Sequence, residues 1–218
     1  MILYIISFCS TYRENIEIML RKVALAIAIC LISVATVHAD VRDDVKVAAP
    51  WEISGTDPAT DGYIFLRMGV METLVDTDKN GALTPGLATD WSNSQDGLLW
   101  TFNLRQASFH DGSALTAEAV VAALSRAISQ PGPLSKAPVD SVTAVDGAVQ
   151  INLKSAYAIL PAILSHSSAI ISAPASFDSE GKAQQAIGTG PFKVDEIAVP
   201  QSMKLSRFDD YWLSLIHI

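Results

Sequence analysis

Three short stretches of this sequence combine residue types that could do chemistry. In Asp76-Thr77-Asp78-Lys79-Asn80-Gly81, oxygen donors stand at the first, third and fifth places and glycine at the sixth, as at the start of an EF-hand calcium loop. The twelfth place, where such a loop needs a bidentate Glu, is Leu87, and Pro85 interrupts the start of the exiting helix. The stretch is therefore read as an Asn-Gly turn, with a calcium-stabilised module as the alternative. His110-Asp111-Gly112 sets an imidazole beside a carboxylate, and with His166 it supplies the bases a secreted hydrolase would need. No G-x-S-x-G nucleophile elbow accompanies either histidine, and His110 reads as part of a turn after a strand. His110, His166 and His217 lack the i, i+4 histidine partner of a metal-binding helix, so neither a metal nor a cofactor is expected. Gly188-Thr189-Gly190-Pro191 has neither the Lys-Ser/Thr of a phosphate loop nor the third glycine of a dinucleotide loop, and reads as a tight turn entering a strand.

The leader must be set aside before the rest is weighed. Residues 1–39 are mostly apolar, with Met19-Leu20-Arg21-Lys22 as a basic start, residues 23–37 as a fifteen-residue apolar run, and Val37-His38-Ala39 before Asp40. Those three parts are the physics of a secretory signal peptide, and the run is shorter than the roughly 20 residues that span a bilayer. Cleavage is expected after Ala39, with Met19 as the true start. Ile29 before Cys30 is not the small residue of a lipoprotein signal. Both cysteines, Cys9 and Cys30, fall in the leader, so thiol chemistry is excluded from the residues beyond Ala39. Of 15 basic and 23 acidic residues, 12 and 21 lie from Asp40 onward, a net charge of −9. Such an acidic body argues against nucleic acid and anionic membrane as partners.

Short strand patterns and helical patterns must position the remaining residues. Residues 45–49 form an apolar stretch bounded by Pro50. Trp100, Phe102 and Leu104 alternate with Thr101, Asn103 and Arg105, the period of a half-buried strand over 98–105. Residues 141–145 and 148–154 flank Asp146-Gly147, a hairpin signal. Thr116 suits the N-cap of a helix running to about Ser129, and Gln130-Pro131-Gly132-Pro133 ends it. A second helix is predicted over 158–165 with Pro161 in its first turn. Strands and helices mixed in this way, without an internal repeat, indicate an α/β body.

Glu72-Thr73-Leu74-Val75, Leu83-Thr84-Pro85-Gly86-Leu87-Ala88, Trp91, Ser94-x-Asp96-Gly97, Trp100-Thr101-Phe102-x-Leu104-Arg105 and Phe109-His110-Asp111-Gly112 stand in a fixed order and spacing. With Thr116-Ala117-Glu118, Gly188-Thr189-Gly190-Pro191-Phe192 and Tyr211-Trp212, this pattern resembles the extracellular solute-binding proteins of peptide and nickel ABC importers. The resemblance runs from Asp40 to Trp212; family members continue into a second lobe, and residues 213–218 match nothing in that continuation.

The resemblance implies a type II periplasmic-binding-protein-like α/β fold, of which this chain holds the first lobe with an inserted α/β subdomain. Residues 40–65 with 188–218 would form the lobe's core subdomain and 66–187 the insertion. It implies a monomeric, non-catalytic periplasmic receptor closing on a short peptide and delivering it to the permease subunits of an ABC transporter. Nickel chelates, opines and other small solutes are the alternatives on the same scaffold. The implied ligand contacts are Trp51, Glu52, Ile53 and Ser54, in the extended segment before Thr56-Asp57-Pro58, together with Tyr63. His166, Ser167 and Ser168 occupy the stretch where nickel-chelate binders present an arginine, and no arginine stands there.

Overall fold

Asp57 and Pro58 begin the first regular element of the computed structural model, which describes residues 46–48 and 50–213. The Asp57 carboxylate accepts the Ala59 N–H at 2.9 Å, and Pro58 occupies the first turn, where a missing N–H costs nothing. Helix α1 (Pro58–Arg67) follows. Strands β1 (Val75–Thr77) and β2 (Leu83–Pro85) pair antiparallel around the expected Asn-Gly turn. There one Asp78 oxygen accepts the N–H groups of Asn80 and Ala82, both at 2.8 Å. These bonds hold the Asp78 carboxyl below its ordinary pKa, and they commit it to its own backbone.

The main sheet comprises β3 (Ala88–Asn93), β4 (Leu99–Leu104), β5 (Val139–Val145) and β6 (Ala148–Leu153) in the order β3-β4-β6-β5, antiparallel throughout. The alternation read over 98–105 holds in β4, where Trp100 and Phe102 are buried and Asn103 is exposed. The β5–β6 hairpin turns at Asp146-Gly147 with φ of 46° and 79°, the left-handed pair that a two-residue turn requires. Helix α2 (Ala117–Ser129) starts at Thr116, whose hydroxyl accepts the Ala119 N–H at 3.2 Å, and it lays Val120, Ala123 and Leu124 on the sheet. Phe102, Phe109, Val120, Leu124 and Val149 are fully buried in that core.

Two expected elements differ. The helix predicted over 158–165 is a single turn, α3 (Leu160–Ile163). Ile159 at its N-cap has no side-chain oxygen to offer, and the Leu164 N–H already folds back on the carbonyls of Leu160 and Ala162. Of the apolar stretch 45–49, the described residues 46–48 are exposed and form no strand, because they have no buried face to hold them. Val45, Ala49, the leader with its start and cut site, and residues 214–218 lie outside the described residues.

Strands β7 (Phe192–Ala198) and β8 (Ser202–Arg207) make a separate antiparallel hairpin. Its Val194, Ile197, Met203 and Leu205 pack on Phe65, Val70 and Met71 to form a second apolar cluster.

Candidate functional site

Both groups of residues singled out for ligand contact adjoin α1. The segment from Trp51 to Ser54 runs into the Asp57 cap, and Ser54 donates its N–H to Oδ1 of the buried Asp61 at 2.8 Å. Trp51 meets Tyr63 edge to face, with ring centroids 5.5 Å apart and planes at 81°. Tyr63 is itself exposed, and its hydroxyl accepts from Arg67 Nε at 3.1 Å. Glu52 and Ser54 face solvent. Ile53 turns inward, 7% exposed, and its N–H donates to the Pro200 carbonyl at 3.3 Å.

A short 3₁₀ turn, Ser167–Ala169, also packs against α1. Gly62 permits this approach: a Cβ there would stand 2.7 Å from the Ser167 carbonyl oxygen. His166 caps the turn, its Nδ1 accepting the Ser168 N–H at 3.1 Å. The imidazole is thereby oriented with Nε2 outward and exposed.

Two further residues carry more of the local architecture than the sequence disclosed. Glu72, half-buried, receives three donors: Thr189 Oγ1 at 2.7 Å, Tyr211 Oη at 2.9 Å, and Trp212 Nε1 at 3.1 and 3.2 Å from its two oxygens. Arg105 lies face on to the Trp212 indole, 3.5 Å from the ring centroid, and gives its Nε–H to the Gly86 carbonyl at 2.6 Å. Burial raises the Glu72 pKa, while the three hydrogen bonds and then the Arg105 charge pull it back. Glu72, Arg105, Thr189, Tyr211 and Trp212 all belong to the recurring pattern of the sequence, so spacing marked them, but nothing along the chain told that they meet.

His110 is the second. Gly188 donates its N–H to Nδ1 at 3.3 Å, so the proton sits on Nε2, which gives it to the Gly190 carbonyl at 2.9 Å. With both ring nitrogens engaged by backbone, the hydrolase reading loses His110 as a free base.

The helix-backed antiparallel sheet is part of one lobe of a type II periplasmic-binding-protein fold, as its superposition on solved structures shows. A family model described as bacterial extracellular solute-binding proteins, family 5 (middle), matches residues 82–217, so the match runs through 213–217, beyond the limit at Trp212 read from the sequence, and the chain belongs to that family. The nickel-binding periplasmic protein of Escherichia coli K12 is 29% identical over 205 residues, covering 88% of this chain and 39% of that protein. A glutathione-binding protein of the same strain is 30% identical over 202 residues, covering 87% and 39%. Among solved structures, the ABC transporter-associated periplasmic binding protein DppA from Helicobacter pylori, in complex with peptide STSA, superposes with a TM-score of 0.63 at 26% identity, covering 74% of this chain and 38% of that one. The chain thus spans about two fifths of the length of the curated relatives it matches.

Proposed function

We propose that this chain is the first-lobe portion of a periplasmic receptor that binds short peptides between two closing lobes and hands them to the permease subunits of an ABC importer. The observation that carries this reading is the rim along α1. The irregular segment before the Asp57 cap presents the exposed Glu52 beside the Trp51–Tyr63 pair, and the turn carrying His166, Ser167 and Ser168 packs on the same helix. Backbone groups give sequence-independent hydrogen bonds, and a carboxylate answers a peptide's ammonium terminus. Hinge closure would then remove both from water. The receptor works as a monomer and catalyses nothing, and its acidic body suits a partner other than nucleic acid. On this reading the chain divides into a core subdomain, 40–65 with 188–218, and an insertion, 66–187, and the second apolar cluster joins the two, since Phe65 and the β7–β8 hairpin pack there with Val70, Met71, Ile170 and Ala186. The leader directs export to the periplasm, and N-terminal sequencing of the exported product is expected to read from Asp40. A product that begins at Cys30 or keeps the leader would contradict this.

The peptide reading is tested at Glu52. In a two-lobe protein carrying this sequence, Glu52→Gln is expected to weaken calorimetric binding of tripeptides with a free amino terminus by about 1–3 kcal/mol. N-acetylated tripeptides are expected to bind the variant and the parent alike. Equal losses for both ligands would make Glu52 structural, and no loss for either would remove the segment from the site. A nickel chelate is the second reading, favoured by the outward Nε2 of His166 and by the nickel-binding relative. Titration with nickel-histidine in place of peptide separates the two.

A further inference from the structure

The Gly188–Pro191 turn is tied to the rest of the body at both ends of its polar surface. On one side His110 holds it three times: the His110 N–H donates to the Gly188 carbonyl at 2.9 Å, the Gly188 N–H donates to Nδ1, and Nε2–H donates to the Gly190 carbonyl. On the other side Thr189, fully buried, reaches Glu72, which in turn holds Tyr211 and Trp212. The His110 ring also meets the Phe208 ring edge on, with centroids 5.0 Å apart.

A cleft of about 490 Å³ opens beside this arrangement, lined by His110, Asp111, Gln185, Lys193 and Glu196 among others, so water and protons reach the imidazole. The charged groups around it are mixed. Asp111 comes from its own turn; Lys193, Asp195 and Glu196 come from β7; Arg207 and Asp209, next to Phe208, are paired with each other at 2.7 Å.

We propose that His110 is a proton-operated clasp on the Gly188–Pro191 turn: protonation at Nδ1 evicts the Gly188 N–H, loosens the Gly188 end of the turn and slackens the grip of Thr189 on Glu72. The imidazolium has two N–H donors and no acceptor, so its Nδ1–H would meet the Gly188 N–H donor to donor. Only one of the two ring contacts survives, that to Gly190. Burial, the largest influence, and the Lys193 charge both disfavour the imidazolium, against the Gly190 carbonyl and Asp111, and the folded-state pKa is lowered from 6.5. Between that lowered value and 6.5 the unfolded chain binds more protons than the folded one. The clasp's contribution is therefore whole above about pH 6.5 and is lost as pH falls through the folded-state pKa. Acid opens the clasp and neutral pH closes it.

Nitrogen-15 spectra of the 218-residue chain, taken from pH 8 to pH 4.5, test this. At neutral pH the His110 ring is expected in the Nε2–H tautomer. On acidification the Gly188 amide and the Trp212 indole N–H are expected to shift with the midpoint of the His110 ring nitrogens, and in His110→Gln the step at Gly188 is expected to vanish. An Nδ1–H tautomer, a Gly188 amide that stays flat through the His110 midpoint, or an unchanged Gly188 step in His110→Gln overturns the clasp. A Trp212 indole that ignores that midpoint overturns its connection to Glu72. Should His110→Gln fail to fold, coincidence of the Gly188 and His110 midpoints in the parent chain decides the matter alone.

Discussion

Glu72→Ala is expected to destabilise the body by about 2–4 kcal/mol, seen as a lower urea midpoint, because it orphans donors that have no other partner at hand. Thr189 is fully buried and would keep an unanswered hydroxyl, whereas the half-buried Tyr211 and Trp212 can turn partly to water. Arg105 would lose its nearby anion and keep its place over the indole. The pH dependence gives an independent reading. The folded-state pKa of Glu72 is raised above 4.5, chiefly by burial, so between 4.5 and that raised value the folded chain holds more protons than the unfolded one. Stability contributed by Glu72 is full below pH 4.5 and falls as pH rises through the raised pKa. Denaturation of Glu72→Gln across that window is expected to lack this falling component. A variant whose pH profile matched the parent would show that Glu72 is not the group responsible.

Phe102→Ala carries the other large expectation, a loss of about 3–5 kcal/mol in the same measurement. Phe102 is fully buried, opposite Trp91 in β3 and Val149 in β6. Its ring stacks on both neighbouring indoles, with centroids 6.5 Å from Trp91 and 6.3 Å from Trp100. Truncation removes both stacking contacts and leaves a cavity in the middle of a sheet whose strands are paired on either side and cannot move inward separately. A loss under about 1 kcal/mol would mean that the indoles close over the gap and that this part of the core is looser than its packing implies.

Local rules written in adjacent residues were legible in the sequence. Thr116 announced the start of α2, Asp146-Gly147 announced the β5–β6 turn, and the Trp100/Phe102 alternation announced the buried face of β4, because each depends on a few neighbours and one backbone geometry. The one-turn length of α3 was less legible: an apolar pattern shows which side would be buried, while the length is set by what the chain must reach next, here the turn capped by His166. For the candidate site, type and segment were readable and orientation was not. Whether Ile53 faces in or out depends on the Pro200 carbonyl, 147 positions away in the sequence. Glu72 and His110 were hidden for the same reason, since their partners at 188–190 and 211–212 can be recognised only once the chain is folded.

The Glu72 contacts also bear on the order in which the chain can finish folding. Its partners lie 117, 139 and 140 positions downstream, so a chain that emerges from its N-terminus first exposes the carboxylate long before any of them. The hairpins and α2 use near neighbours and can form early, whereas the enclosure of Glu72 must wait for the last. A chain that has emerged only as far as Asp210 would have to leave this acid in water or bury it with only Thr189 as donor. Enclosure of Glu72 is therefore complete only once Tyr211 and Trp212 have reached it.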